Sequence, residues 1–196
     1  LSSSNFIKAN FAHSNLSNIN LSRANLTSSN LIRVNMVNAN LTGANLTAAN
    51  LTDSNLEGAN LEGANLTGAN LTGVNLTGSK ITWGTLIEVN LSKTNLTRAS
   101  LAAANLEKAI MVDANLSDAF MKEANLTSAN LNGANLERAN LYFASLKNAM
   151  MDGANFRETY LREANLDGAS LENIKNIDSA IKCKTIFPWG EDNSTC

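Results

Sequence analysis

The chain repeats itself every five residues over most of its length, and a period of five admits very few folds. Residues 58 to 73, GANLEGANLTGANLTG, show the unit plainly. Taking the third residue of each pentad as its centre, the centres fall at every fifth position from 6 to 171, and 26 of those 34 positions are Leu. The others are Phe6, Phe11, Met36, Ile81, Met111, Met121, Met151 and Phe156, so every centre is apolar. Two residues earlier, 22 of 34 positions are Ala, and the rest include small or β-branched residues such as Ser14, Val34, Ser54, Val74 and Thr94. Between these two columns Asn holds 25 of 34 positions, while the two residues after each centre are mostly Thr, Ser, Gly or charged. The small and Leu columns are therefore the expected core, and the other three columns face water.

An α-helix cannot use this pattern, because five residues advance the helical phase by about 140° and would spread the apolar residues around its circumference. A β-strand alternates with period two, and Ala-Asn-Leu obeys that rule as in, out, in before two successive outward residues break it. The break is a corner. A chain that extends for three residues and turns over two winds into a coil of stacked short strands about 4.7–4.9 Å apart, with Leu and small residues filling the bore.

Ala-Asn-Leu followed by two polar residues resembles the pentapeptide-repeat family, written A-(D/N)-L-x-x, from about residue 4 to residue 175 without a change of phase. The resemblance implies an all-β fold, a right-handed quadrilateral β-helix with four pentads per turn. Such a rod would make eight to nine coils and reach about 40 Å at strand-like stacking distances. Each buried Leu is worth roughly 1.5–3 kcal/mol only when a neighbouring rung covers it, so the middle coils are expected to be sturdiest. Ile19 and Gly84 are the largest and smallest occupants of the narrow inward column. Around Gly84 the segment GSKITWGTLIEV also loses Asn at Lys80 and Thr85 and places Trp83 at a corner, which reads as an irregular coil or a local functional distortion. Asn is expected to act structurally, in ladders and tight corners. The Asn-Leu-Thr and Asn-Leu-Ser triplets follow automatically from these columns and do not argue for glycosylation.

The last residues follow a different grammar. Leu171, Ile174, Ile177 and Ile181 recur at spacings of three to four, which predicts an amphipathic helix across the open end. The chain is thus divided into a solenoid over 1–175 and a short α-helical and turn cap over 176–196. An uncovered end would leave unpaired backbone and apolar side chains, hence the expectation of a cap. At the other end nothing comparable precedes Phe6. The cap holds both cysteines, Cys183 and Cys196. One bridge between them would close a loop of about 14 residues and contribute roughly 3 kcal/mol, whereas two free thiols would contribute nothing of the kind. A helix and a Cys-bracketed turn after the repeats resemble exported cyanobacterial members of the family. That resemblance implies the periplasm or thylakoid lumen, with the cytoplasm as the alternative. The chain starts at Leu1, so it reads as trimmed, and a removed export signal would leave no trace.

Catalytic and cofactor chemistry find little to work with. The one histidine, His13, is expected at a solvent-facing corner. The carboxylates Glu57, Glu62, Glu107, Asp113, Asp118, Glu137 and Glu163 lie in outward columns where water keeps them ordinary. Two cysteines are too few for a structural zinc site, and no phosphate-binding loop or dinucleotide fingerprint is present. Glu191, Asp192 and Asn193 have the chemistry to hold a calcium ion but read as a polar turn. No enzyme, cofactor or metal is expected. The net charge is −2 with 16% charged residues, which gives no basic footprint for nucleic acid. Apolar runs fall short of the roughly 18 residues a membrane span requires, so no membrane insertion is expected.

The outward columns carry the departures that matter. With 20 residues per turn, Lys80, Ser100, Phe120, Asn140 and Tyr160 stack on one wall, joined by Trp83, Tyr142 and Phe143. Trp83, Phe120, Tyr142, Phe143 and Tyr160, among Lys122, Glu123, Arg162 and Glu163, have the make-up of a protein-contact patch. A second wall carries Ile110, Val112 and Met150. Two functions follow. The first is a non-catalytic rigid scaffold that docks an unknown protein partner or itself. The second, implied by the family, is a DNA mimic that binds a type II topoisomerase such as gyrase. Against the mimic, acidic and basic residues nearly balance, 17 against 15.

Overall fold

The computed structural model describes residues 1–196. Each pentad is extended through its Asn position and turns over the two residues after its centre, and the pattern continues without interruption from the first pentad to about residue 175. Parallel bridges join each Asn position to the one 20 residues on, as in Asn5 to Asn25 and Asn25 to Asn45, so one coil takes four pentads. The bridging positions stack into four walls: the first begins at Asn5, the second at Asn10, the third at Asn15 and the fourth at Asn20.

Backbone hydrogen bonding explains the pentad residue by residue. In the unit 24–28, Asn25 N–H donates to Ser4 of the preceding coil at 2.9 Å, while Leu26 and Ser28 donate to Asn45 and Thr47 of the following coil at 2.7 and 2.9 Å. Ala24 N–H closes the turn on Leu21 at 3.0 Å. The fifth donor, Thr27 N–H, points outward at the corner and has no carbonyl within reach. Asn25 Oδ1 accepts it at 3.1 Å, and Thr27 Oγ1 donates to the same oxygen at 2.6 Å. Asn is thus required because a short side-chain carbonyl must reach the amide two residues ahead. Its Nδ2 then links rungs, as from Asn75 to Asn55 Oδ1 at 3.1 Å or from Asn95 to Thr77 Oγ1 at 3.0 Å.

The second turn residue adopts a left-handed backbone throughout, from φ 57° at Arg23 to φ 58° at Phe143. Glycine fills many of these sites, for example Gly63 and Gly68, where that conformation carries no steric cost. Side chains elsewhere in this column are held there by the paired amide, as where Arg23 N–H donates to Thr42 at 2.8 Å.

Both inward columns are buried. Leu, Met, Ile and Phe centres from Leu21 to Leu166 pack with the small column into one continuous core. Some hydroxyls in the small column reach carbonyls, as Ser54 does to Leu31 at 2.6 Å and Thr94 to Leu71 at 2.8 Å, while those of Ser29 and Ser79 are buried without a partner. Phe6, Phe11, Leu16 and Ile19 in the first coil are only partly buried, and the Phe6 and Phe11 rings meet edge to face at 5.3 Å. The stretch around Gly84 is regular: Thr85 bridges Asn65 and Asn105, and Gly84 has room for no more, since a Cβ there would stand 3.0 Å from Leu86 and Ile81.

The expected α-helical cap does not form. Residues 177–179 make a single 3-10 turn (η1, Ile177–Ser179), and a short antiparallel hairpin follows, β1 (Thr185–Phe187) with β2 (Gly190–Asp192). Asn173 and Asn176 take left-handed conformations, φ 52° and 58°, which stop any helix at the first turn. The ladder instead resumes one residue out of register, with Ile181 bridging Tyr160 and Ile186 bridging Asn165. Ile181 and Ile186 are extended rung residues, so the three-to-four spacing of apolar residues reflects a resumed coil rather than a helical face. Phe187 is buried with its ring stacked on Trp189 at 4.9 Å, and a disulfide joins Cys183 to Cys196. No helix is long and apolar enough to cross a membrane.

Because every rung is covered on two sides, truncating a central centre residue is expected to cost most. Leu106→Ala is expected to destabilise by about 2–5 kcal/mol, and Leu16→Ala in the half-covered first coil by clearly less. Urea unfolding midpoints of the two variants would test the order.

Candidate protein-docking wall

The four walls do not depart from Asn equally. The third wall keeps Asn at every rung from Asn15 to Asn155, whereas the fourth replaces it with Lys80, Ser100, Phe120 and Tyr160. Each replacement gives up the corner cap described above. Thr82, Ala102, Lys122 and Arg162 N–H accordingly have no protein acceptor. An uncapped amide at a wet corner costs roughly 0.5–1.5 kcal/mol, and the fourth wall bears this cost repeatedly.

What the wall acquires is exposed apolar area. Phe120 is 56% exposed, Tyr160 47%, Phe143 47% and Trp83 64%. Lys80, Ser100, Phe120, Asn140, Tyr160 and Ile181 form one unbroken bridge column. Tyr142 and Phe143 sit at the adjoining corner with ring centroids 4.3 Å apart, and Lys122 Nζ and Arg162 lie 5.7 and 6.0 Å from the Tyr142 centroid. Four of the five aromatics thus gather over the rungs of Phe120, Asn140 and Tyr160. Trp83 stands apart, above Ala103 and Glu123 in the same corner column, and lines neither groove. On the opposite wall Ile110 and Met150 are exposed singly.

Asn140, a short side chain between two rings, makes the wall concave. A groove of about 530 Å³ opens among Phe120, Asn140, Tyr160, Arg98, Asp118 and Arg138. A neighbouring one of about 510 Å³ is lined by Asn140, Tyr142, Tyr160, Arg162 and Ile181. Composition gives no sign of the charged border of the first groove, Arg98, Asp118 and Arg138. Asp118 and Arg138 are 20 residues apart, and only the coil length brings them together: Arg138 Nε and Nη2 donate to the two Asp118 oxygens at 2.8 and 3.0 Å, and Nη1 donates to Glu137 at 2.7 Å. The Arg138 hydrogen bonds hold the Asp118 carboxyl below the usual carboxylate range against a small desolvation cost, with the charges of Arg138 and Arg98 adding to the effect. In the cap, hydrogen bonds from Ser194 and the nearby Lys182 likewise lower Asp192.

Asp118 is the depressed-pKa case: its contribution to stability is complete above the unfolded carboxylate value near 4 and is lost as pH falls through the lower folded value. The pair is partly exposed, so solvent screening limits that contribution to about 1 kcal/mol or less. Asp118→Asn is expected to lose up to that amount at pH 7 and to converge with the parent at the acid end, measured as urea midpoints from pH 7 down to pH 2.

Comparison with known proteins agrees with this architecture. The chain is similar to HetL, a pentapeptide repeat protein involved in heterocyst differentiation regulation from the cyanobacterium Nostoc sp. strain PCC 7120. The two are 29% identical over 99% of this chain and 92% of HetL, with a TM-score of 0.54. A trypsin-treated form of QnrB1, a plasmid-mediated fluoroquinolone resistance protein, shares the fold at 16% identity over 89% of this chain and 91% of its own, with a TM-score of 0.70. No curated protein sequence matches. The family model for pentapeptide repeats matches in eight copies spanning residues 4–82, 86–122 and 112–175. The chain belongs to the pentapeptide repeat family.

Proposed function

We propose that this protein is a non-catalytic rigid rod that docks a protein partner through its fourth wall. One observation carries the reading: that wall exposes Phe120, Phe143 and Tyr160 around a grooved Asn140, and it gives up the Asn cap at the rungs of Phe120 and Tyr160 on either side. Exposed aromatic anchors bordered by charged side chains are the composition of protein-contact surfaces. The rod is a right-handed quadrilateral β-helix over residues 1–175, with 176–196 as its cap. The 20-residue coil with a turn in each pentad supports the four-sided cross-section. The Cys183–Cys196 disulfide supports an oxidising compartment, the periplasm or thylakoid lumen.

Changing Phe120, Phe143 and Tyr160 together to Ser is expected to abolish partner capture in a pull-down while leaving the thermal transition nearly unchanged, since all three side chains are exposed. Retention of the same partners by the triple variant would overturn the docking reading.

A second reading, a DNA mimic acting on a type II topoisomerase, draws on the fold shared with QnrB1. The near balance of 17 acidic and 15 basic residues argues against it. It requires inhibition or protection in a gyrase supercoiling assay at stoichiometric protein, and the scaffold reading expects no effect.

A further inference from the structure

We infer that the partner on the fourth wall is a second copy of this chain, lying antiparallel to the first with the two walls face to face. The inference deepens the docking reading above and rests on it. Two independent columns of side chains select the same register.

The first column is charged. At the corner beside Phe120, positions 20 residues apart read Arg98, Asp118, Arg138 and Glu158, an alternation of plus, minus, plus, minus over about 14 Å of stacked rungs. The first three line the same groove as Phe120 and Tyr160, so they border the wall that would be covered. A two-fold axis lying across the interface reverses the order of rungs and keeps each column opposite itself. With the axis midway between the rungs of Phe120 and Asn140, every charge meets its opposite: Arg98 faces the partner's Glu158 and Asp118 faces the partner's Arg138. Shifting the axis by half a rung brings like charges together instead. Parallel rods fare no better, because they set Asp118 against the partner's Glu123 and Glu158 against the partner's Glu163. Arg98 makes no ion pair within its own chain, whereas Arg138 is already paired. Its free guanidinium is the charge that most needs an external carboxylate.

The second column is steric. Along the wall Ser100, Phe120, Asn140 and Tyr160 alternate short and long. The same axis puts Phe120 into the notch at the partner's Asn140 and Tyr160 into the gap at the partner's Ser100, so rings interdigitate rather than collide. Asn140 Nδ2 has no acceptor on its own chain, because Phe120 and Lys122 occupy the rung where Asn and Thr accept elsewhere. Its N–H groups are therefore free to face the incoming ring. At the far corner Lys122 meets the partner's Tyr142, a cation over a ring. A patch four rungs tall is smaller than the roughly 800 Å² per partner of a standard interface, so the dimer is expected to be weak and to build up with concentration.

Charge reversal tests the register directly. Sedimentation velocity on the full 196-residue chain, raised to millimolar concentration, is expected to show reversible dimers. Arg98→Glu alone and Glu158→Arg alone each set like charges opposite one another at two symmetric places, and each should weaken self-association at least about tenfold. Both sites are exposed corners, so circular dichroism should report an unchanged fold. An equimolar mixture of the two single variants should form heterodimers, and the double variant should regain homodimers, because each restores Arg opposite Glu. A chain monomeric at every concentration, or dimers indifferent to both reversals, would overturn the inference. Should the chain stay monomeric while the Phe120, Phe143 and Tyr160 variant still loses capture of a different protein, self-association falls and the docking wall stands. Should that variant keep its capture, the docking wall itself falls.

Discussion

The parallel backbone ladder at 20-residue spacing is the constraint on which everything else in this protein depends. It fixes which residues are neighbours, holds the left-handed corners in place and decides what a side chain must supply. Four of the five amides in a pentad are satisfied by backbone carbonyls, and the fifth is left at the corner. Asn answers that one vacancy, which is why a polar residue recurs between two buried columns with such regularity. Leu and Ala supply the stabilising burial, but the ladder sets the spacing at which burial is possible.

From this follows a way of reading the surface. Where Asn persists at every rung, as on the third wall from Asn15 to Asn155, local structure alone accounts for the sequence. Lys80, Ser100, Phe120 and Tyr160 on the fourth wall surrender a corner hydrogen bond at each step; Ser100 recovers one with Thr82 at 3.0 Å, but Phe120 and Tyr160 expose their rings to water. Scattered losses occur on other walls, at Thr85, Ile110 and Ser145, but four fall in line in one column on the fourth, and a run of losses along one face indicates a demand from outside the chain. Alternating charges along the corner column and alternating bulk along the wall are two further patterns that the fold does not need.

The cap shows how the ladder ends. A single added residue shifts Ile181 and Ile186 from their expected positions while preserving their bridges to Tyr160 and Asn165. The hairpin, the Phe187 and Trp189 stack and the Cys183–Cys196 bridge then close the last coil. The edge of the last coil is covered by a continuation that the same chain supplies, and the disulfide ties Cys196 back to Cys183.

The sequence alone determined the core, the corner every five residues and the stacked coil, because those features are strictly local and repeat 34 times with little variation. It also brought Phe120, Tyr142, Phe143 and Tyr160 together once a coil length was assumed. It misread Ile174, Ile177 and Ile181 as a helical face, since spacing in a short segment does not reveal that Asn173 and Asn176 turn left-handed or that Ile181 is claimed by the rung below it. Tertiary structure decided which charges meet. Asp118 and Arg138 are strangers along the chain and neighbours in space, and the groove they border exists only because a 20-residue coil lays one pentad upon another.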